Sequence, residues 1–146
     1  RQPFLILFTC VMLMLSPIPS EVAAQSVSLQ PKPKQDSNEL QVQDMLLLFL
    51  LPHIRDAIDR YYARSLKELP LVYPYFVDIV RTNRLNGFRG FILSITLDVV
   101  PVVGPHIPVG KDRITFEVSA GPAVKETQYI HLESYELPPH WQDIER

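Results

Sequence analysis

The chain has 146 residues, 47% hydrophobic and 21% charged, with a formal net charge of −2 and one cysteine. There is room for one domain and not two. The even charge balance excludes nucleic-acid binding by phosphate neutralisation, one cysteine excludes an internal disulfide framework, and the apolar content excludes a wholly disordered chain.

From Phe4 to Leu15 the run FLILFTCVMLML is twelve residues long and carries no charge. That is the length of a signal-peptide h-region and short of the ~20 residues that a spanning helix needs. Pro17 and Pro19 break it, and Val22-Ala23-Ala24 offers small side chains to a signal peptidase. Residues 1–24 are therefore read as a signal peptide cleaved between Ala24 and Gln25, which makes the chain secreted or held at the cell envelope. Cys10 would leave with the signal, so the mature chain would rest on packing without cross-links. Residues 25–37, polar with two prolines, read as a flexible tether. A single domain is expected over residues 38–146.

Ser37 or Asn38 can cap a helix. The run Met45 to Leu51 is uninterrupted and apolar, too short to span a bilayer, and is expected to be covered on all sides by protein or by a partner. Pro52, with no amide donor, is expected to kink or restart the helix. Beyond it Ile54, Ile58, Tyr61, Tyr62, Leu66 and Leu69 recur at three- and four-residue steps. This predicts an amphipathic helix running to Pro70, with Asp56–Arg60 and Arg64–Glu68 as i, i+4 pairs on a solvated face.

Leu71 to Tyr75 is a proline-bearing aromatic connector, and Phe76 to Arg81 a short strand. Asn86-Gly87 between β-prone segments is a hairpin signal. From Phe88 to Val100, the residues Phe91, Leu93, Ile95, Leu97 and Val99 alternate with Ile92, Ser94, Thr96, Asp98 and Val100, which predicts a strand with one apolar face. Pro101 to Gly110 holds three prolines and two glycines, a composition read as excluding regular sheet. Ile114, Phe116 and Val118 mark another strand, Val124 to Leu137 a last one, and His140 to Ile144 a final helical turn. The expected class is α+β: one long N-terminal amphipathic helix packed on a curved antiparallel sheet of about four strands, as in cystatin-like folds.

The helix with Leu51-Pro52-His53-Ile54 running to Tyr61-Tyr62, the Tyr73-Pro74-Tyr75-Phe76-Val77 connector, Asn86-Gly87-Phe88, Pro101-Val102-Val103-Gly104-Pro105-His106, the run from Val109 to Phe116, and Ser134-Tyr135-Glu136-Leu137-Pro138-Pro139 stand in a specific order and spacing. In that order they resemble domain-of-unknown-function family 3888, short exported proteins of Gram-positive spore-forming bacteria, over roughly Met45 to Ile144. The resemblance implies export and one compact domain, and no catalytic role.

Among candidate chemistries, His131 and Glu133 lie two apart and would share a strand face, and His106 and Asp112 could approach them if the proline-rich loop folds back. Zinc accepts such ligands, but no HExxH or CxxC is present, and no metal or other cofactor is assigned. Ser134 near His131, with Asp112 or Glu133, supplies the residue types of a hydrolytic triad without a GxSxG elbow. The bland reading makes His131 a half-exposed strand residue and Asp112 a turn residue. Phosphate binding has less support, because the prolines between Gly104 and Gly110 remove backbone amides. The strongest clue is apolar. Val103, His106 and Ile107 in the loop, with Tyr61, Tyr62, Tyr73 and Tyr75 as aromatic walls, suggest a site for ligand binding.

The leading expectation is thus an exported, non-enzymatic module that binds a peptide, an envelope component or an apolar small molecule. Nucleic acid is not an expected partner, and no transmembrane span is expected in the mature chain. The alternatives are a small metal-dependent or hydrolytic enzyme using His106, His131 and nearby acids, and a protein that self-associates through Met45 to Leu51.

Overall fold

The structure, a computed structural model, describes residues 33–121 and 123–146. The expected signal peptide and most of the expected tether lie outside the described residues. Where the tether is described, the Ser37 amide donates to the Lys34 carbonyl (3.1 Å) and closes a turn just before the first helix.

Helix α1 spans Asn38–Tyr62. Ser37 caps it, its hydroxyl accepting from the Leu40 amide at 3.2 Å. Leu47, Leu50, Leu51, Ile54, Ala57, Ile58 and Tyr62 are buried, a stripe at three- and four-residue spacing that faces the sheet. Two expectations are corrected here. The helix does not restart at Pro52 but runs through it as one element. Proline deprives the Leu48 carbonyl of its amide partner, but Leu48 and Pro52 both lie on the exposed side, where water can take that place. The helix also ends at Tyr62, not Pro70. There the Tyr62 carbonyl accepts from both Ser65 and Leu66, and the chain leaves the helical path to lie against the C-terminal segment. The Lys67 amide donates to Ile144 (2.7 Å) and the Arg146 amide to Ser65 (2.9 Å). Asp56 and Arg60 form the expected pair, and Arg60 also reaches Glu126. Arg64 and Glu68 lie beyond the helix, so their i, i+4 spacing no longer brings them together. The Met45 to Leu51 run is covered on one side only: Leu47, Leu50 and Leu51 are buried, while Met45, Leu48 and Phe49 are exposed.

A short 3-10 turn at Pro74–Phe76 leads into β1 (Val77–Arg84). Strands β2 (Ile92–Val99), β3 (Val102–Val103), β4 (Ile107–Pro108), β5 (Gly110–Ser119) and β6 (Val124–Ser134) follow, then a 3-10 segment at Pro139–Ile144. The main sheet has the order β1-β2-β5-β6, every neighbour antiparallel. The fold is therefore α+β, one long helix on a four-stranded antiparallel sheet. Strand β2 is shorter than its alternation suggests, because Phe88 to Phe91 belong to the hairpin tip. The proline-rich stretch, expected to hold no sheet, folds into a two-residue ladder in which Val102 faces Pro108 and Val103 faces Ile107. So short a ladder needs few amides, and Val102 and Val103 keep theirs.

Ile95, Leu97 and Val99 join the core with the buried side chains of α1 as their alternation predicts, and Ser94, Thr96 and Asp98 alternate with them. In that second row Arg113 grips Asp98 with two hydrogen bonds (2.6 and 2.9 Å), and the hydroxyls of Thr96 and Thr115 meet at 3.2 Å. Every core residue lies between Leu47 and Ile144. Among the described residues no helix is long and apolar enough to cross a membrane.

Candidate active site

Strand β5 alternates without interruption: Gly110, Asp112, Ile114 and Phe116 are buried, and the residues between them are not. Asp112 is thus carried into the apolar row by the pleat itself, with 0% of its surface exposed. A carboxylate there must be hydrogen-bonded or unfold the strand. It has two partners. The Tyr62 hydroxyl donates to Oδ2 at 2.8 Å, and His131 Nδ1 lies 2.7 Å from Oδ1.

His131 reaches Asp112 through a β-bulge. Lys111 pairs with Glu133 but Asp112 pairs with His131, so β6 spends one extra residue, Leu132, at this point. The imidazole stacks on Tyr61 at 4.9 Å and meets Tyr62 edge-on at 6.2 Å, and Tyr61 stacks in turn on Tyr129 at 5.1 Å. The other ring nitrogen, Nε2, lies 2.7 Å from Ser134 Oγ, and Ser134 is exposed. With Nδ1–H donating to the carboxylate, Nε2 is left as an acceptor for the serine proton.

Tyr62, Asp112, His131 and Ser134 therefore form one hydrogen-bonded line from the core to the surface. It ends at a cleft of about 350 Å³ lined by Tyr61, Leu66, Val109, Tyr135, Leu137 and Arg146 together with His131 and Ser134. Gly110 makes room for the line. A Cβ there would stand 2.4 Å from the Tyr62 hydroxyl, 2.6 Å from the Glu133 carbonyl oxygen and 3.1 Å from His131 Cε1.

The phenols around Asp112 hold their protons tightly. Burial, then the negative charge and hydrogen bond of Asp112, push Tyr62 far above the usual tyrosine range. Burial and the same charge act on Tyr129 and, to a smaller degree, on Tyr61. The Tyr129 hydroxyl is buried near Asp112 yet makes no hydrogen bond of good geometry. These shifts have a sign that can be measured. In the unfolded chain a phenol ionises near pH 10, while in the fold Tyr62 and Tyr129 keep their protons. Stability is expected to be whole below about pH 10 and to fall above it, by about 1.4 kcal/mol per pH unit for each such phenol. Urea denaturation between neutral pH and pH 11 checks this, and Tyr62→Phe should lower the slope by one proton. A slope unchanged in that variant would mean that Tyr62 does not titrate with folding.

The other residues singled out in the sequence lie elsewhere. His106 has a positive φ of 65° and packs with Tyr73 (4.9 Å) and Phe76 (6.1 Å), while its Nε2 lies 3.5 Å from the Tyr75 hydroxyl. Tyr73 and Tyr75 stack at 5.3 Å. Val103 is a core residue, and Ile107 is half-buried against the core. The Tyr61–Tyr62 pair of the expected binding site is thus separate from its Tyr73–Tyr75–His106 part, and each centres on its own histidine. The Glu133 carboxylate accepts from the Tyr135 hydroxyl at 3.1 Å, whereas His131 bonds to Asp112 and Ser134. Among the described residues no group of three or more His, Cys, Asp or Glu is placed to hold a metal ion.

The sequence offers no pointer to Arg146, and Leu66 stands in it only as part of the apolar helix face. Arg146 and Leu66 reach the cleft only because the C-terminal segment pairs back beside Leu66, in the bridge between Leu66 and Glu145. The model of a family described as Protein of unknown function (DUF3888) matches residues 42–133, a span that holds Tyr62, Asp112 and His131 and stops one residue before Ser134. No curated protein and no solved structure matches the chain.

Proposed function

Because the chain belongs to the DUF3888 family, a family of unknown function, we propose an activity from the site itself: acyl transfer from a small ester or amide to water, with Ser134 as nucleophile and His131 as general base. The observation that carries this is the unbroken relay from Asp112 through His131 (2.7 Å) to the Ser134 hydroxyl (2.7 Å) at the mouth of a cleft. Both contacts are in the range that nucleophilic catalysis requires, and the base is oriented by a third group.

His131 Nε2 takes the Ser134 proton as Oγ bonds to the carbonyl carbon. The bond to the leaving group then breaks, and the leaving group departs with that proton. Water, deprotonated by His131 in turn, releases the acid and restores Ser134. Asp112 holds the ring in the required tautomer and balances the imidazolium charge, and Tyr61 fixes the ring plane. Arg146 lines the same cleft and brings a guanidinium as a donor for the oxyanion. A volume of about 350 Å³ is at the small end of ligand pockets, and its tyrosine and leucine walls favour a short apolar acyl group. The charge-free run from Phe4 to Leu15, followed by Pro17, Pro19 and Val22-Ala23-Ala24, supports export; the cleft would then work outside the cytoplasm.

A fluorophosphonate reagent is expected to phosphonylate Ser134, the Oγ–P bond forming as fluoride leaves, and Ser134→Ala and His131→Ala to remain folded without taking the label. Peptide mass mapping reads both. A label on another residue, or one that survives Ser134→Ala, would falsify the assignment.

A second reading, binding without chemistry, draws on the other aromatic cluster. Tyr75 is exposed and borders a second cleft, of about 390 Å³, with Leu40, Leu47, Pro74 and Val77. Such a surface suits a peptide or an apolar small molecule. If Ser134 takes no label, this reading stands in place of the first.

A further inference from the structure

The connection from β1 to β2 displays three large apolar side chains to solvent: Phe88 is 96% exposed, Phe91 64% and Leu85 54%. The tip is nonetheless ordered by its own bonds. The Leu85 amide donates to Ile92 (2.8 Å), the Gly90 amide to Gly87 (3.0 Å) and the Ile92 amide to Asn86 Oδ1 (3.2 Å). Arg89 is held at φ 56°, a left-handed conformation that a side-chain-bearing residue adopts at a cost. Ordered backbone, strain and exposed phenylalanine coincide here.

Charge adds a second, independent observation. Arg84 and Arg89 flank the tip, Arg81 stands three residues back on β1, and no acidic residue occurs from Ile79 to Leu97, in a chain whose net charge is −2. The neighbouring turn between β5 and β6 lies at the same end of the sheet, since Ile92 pairs with Ser119 and Val118 with Val124, and residues 119–124 carry no charge. The first acid beyond it, Glu117, faces Lys125 across the ladder.

We infer that this end of the sheet docks on an anionic lipid bilayer, with Phe88, Phe91 and Leu85 entering the interface and Arg84 and Arg89 meeting the headgroups. Aromatic rings favour the interface between headgroup and acyl chain, and arginines gain from the negative surface potential. A protein partner would ask for a broader face with hydrogen-bond donors and acceptors, and the tip offers a narrow apolar point in a cationic collar.

The test places a reporter at the tip. Phe88→Trp, in the full chain, is expected to shift its emission to the blue and to be quenched by brominated lipid on vesicles of mixed phosphatidylcholine and phosphatidylglycerol. The emission of the parent chain, from Trp141, serves as the baseline. Adding Arg84→Gln and Arg89→Gln should raise the anionic lipid needed for half-maximal shift about tenfold, and vesicles of phosphatidylcholine alone should give little shift. The inference is overturned if Phe88→Trp is unquenched on anionic vesicles, if loss of the arginines changes nothing, or if the blue shift occurs without lipid as protein concentration rises, which would assign the tip to a second copy of the chain. The result is independent of whether Ser134 reacts.

Discussion

Asp112→Ala is expected to remove both reactivity at Ser134 and a large share of the folding free energy. The carboxylate is fully buried and accepts from Tyr62 and His131. Its loss leaves two donors facing a void, at a cost of about 2–4 kcal/mol. Such a loss alone would not distinguish a structural role from a chemical one, so Asp112→Asn is the informative companion. The amide has nearly the same shape and can keep a hydrogen bond to each neighbour, but it cannot balance an imidazolium charge. It should fold, and label at Ser134 more slowly by about 10²- to 10⁴-fold. Rates of fluorophosphonate labelling, with urea denaturation on the same samples, separate the two effects. An asparagine variant that labels as fast as the parent would show that His131 needs no anionic partner, and would remove the relay from the mechanism.

Gly110→Ala is expected to destabilise the fold and disable the site together. The added Cβ would meet the Tyr62 hydroxyl at 2.4 Å and the Glu133 carbonyl oxygen at 2.6 Å. Tyr62 is tied to Asp112, and Glu133 is backbone of the paired strand, so neither neighbour is a loose chain end that can swing away. Overpacking of this kind costs about 1–3 kcal/mol, and the strain falls on the contact that holds Asp112 and on the strand that carries His131 and Ser134. The variant should melt earlier than the parent and, where still folded, should lose labelling at Ser134. An alanine variant with parental stability and labelling would mean that β5 and β6 do not approach at Gly110 as closely as described.

The architecture was legible because period and punctuation act locally. Ile54, Ile58 and Tyr62 lie on one helical face whatever they later touch, and Leu93, Ile95, Leu97 and Val99 share one side of any strand they form. The same rule held a signal that was passed over. Carried back from Phe116 and Ile114, the alternation reaches Asp112 and places it in the core, but its polarity and its position after Gly110-Lys111 suggested a turn. A buried carboxylate in an apolar row asks for donors, and that demand is the one sequence-level pointer to the site.

What one chain determined by itself was the kind of each segment: a capped helix from Ser37, strands that turn near Asn86-Gly87, and the residue types from which a relay could be built. Three things waited on tertiary structure. The helix stops at Tyr62 and not Pro70 because the chain there finds its hydrogen bonds with Ile144 and Arg146, more than 70 residues away in sequence. Asp112 faces His131 because a bulge shifts the register of β6 by one residue, and a bulge has no fixed signature in either strand. His106 and His131, which residue type alone made equal candidates, are separated because one lies in the β3–β4 turn beside Tyr73 and the other in a strand beside Tyr61. Periodicity belongs to neighbours along the chain. Register and partnership belong to contacts between distant residues, where many pairings satisfy the same pattern and only the packed structure selects one.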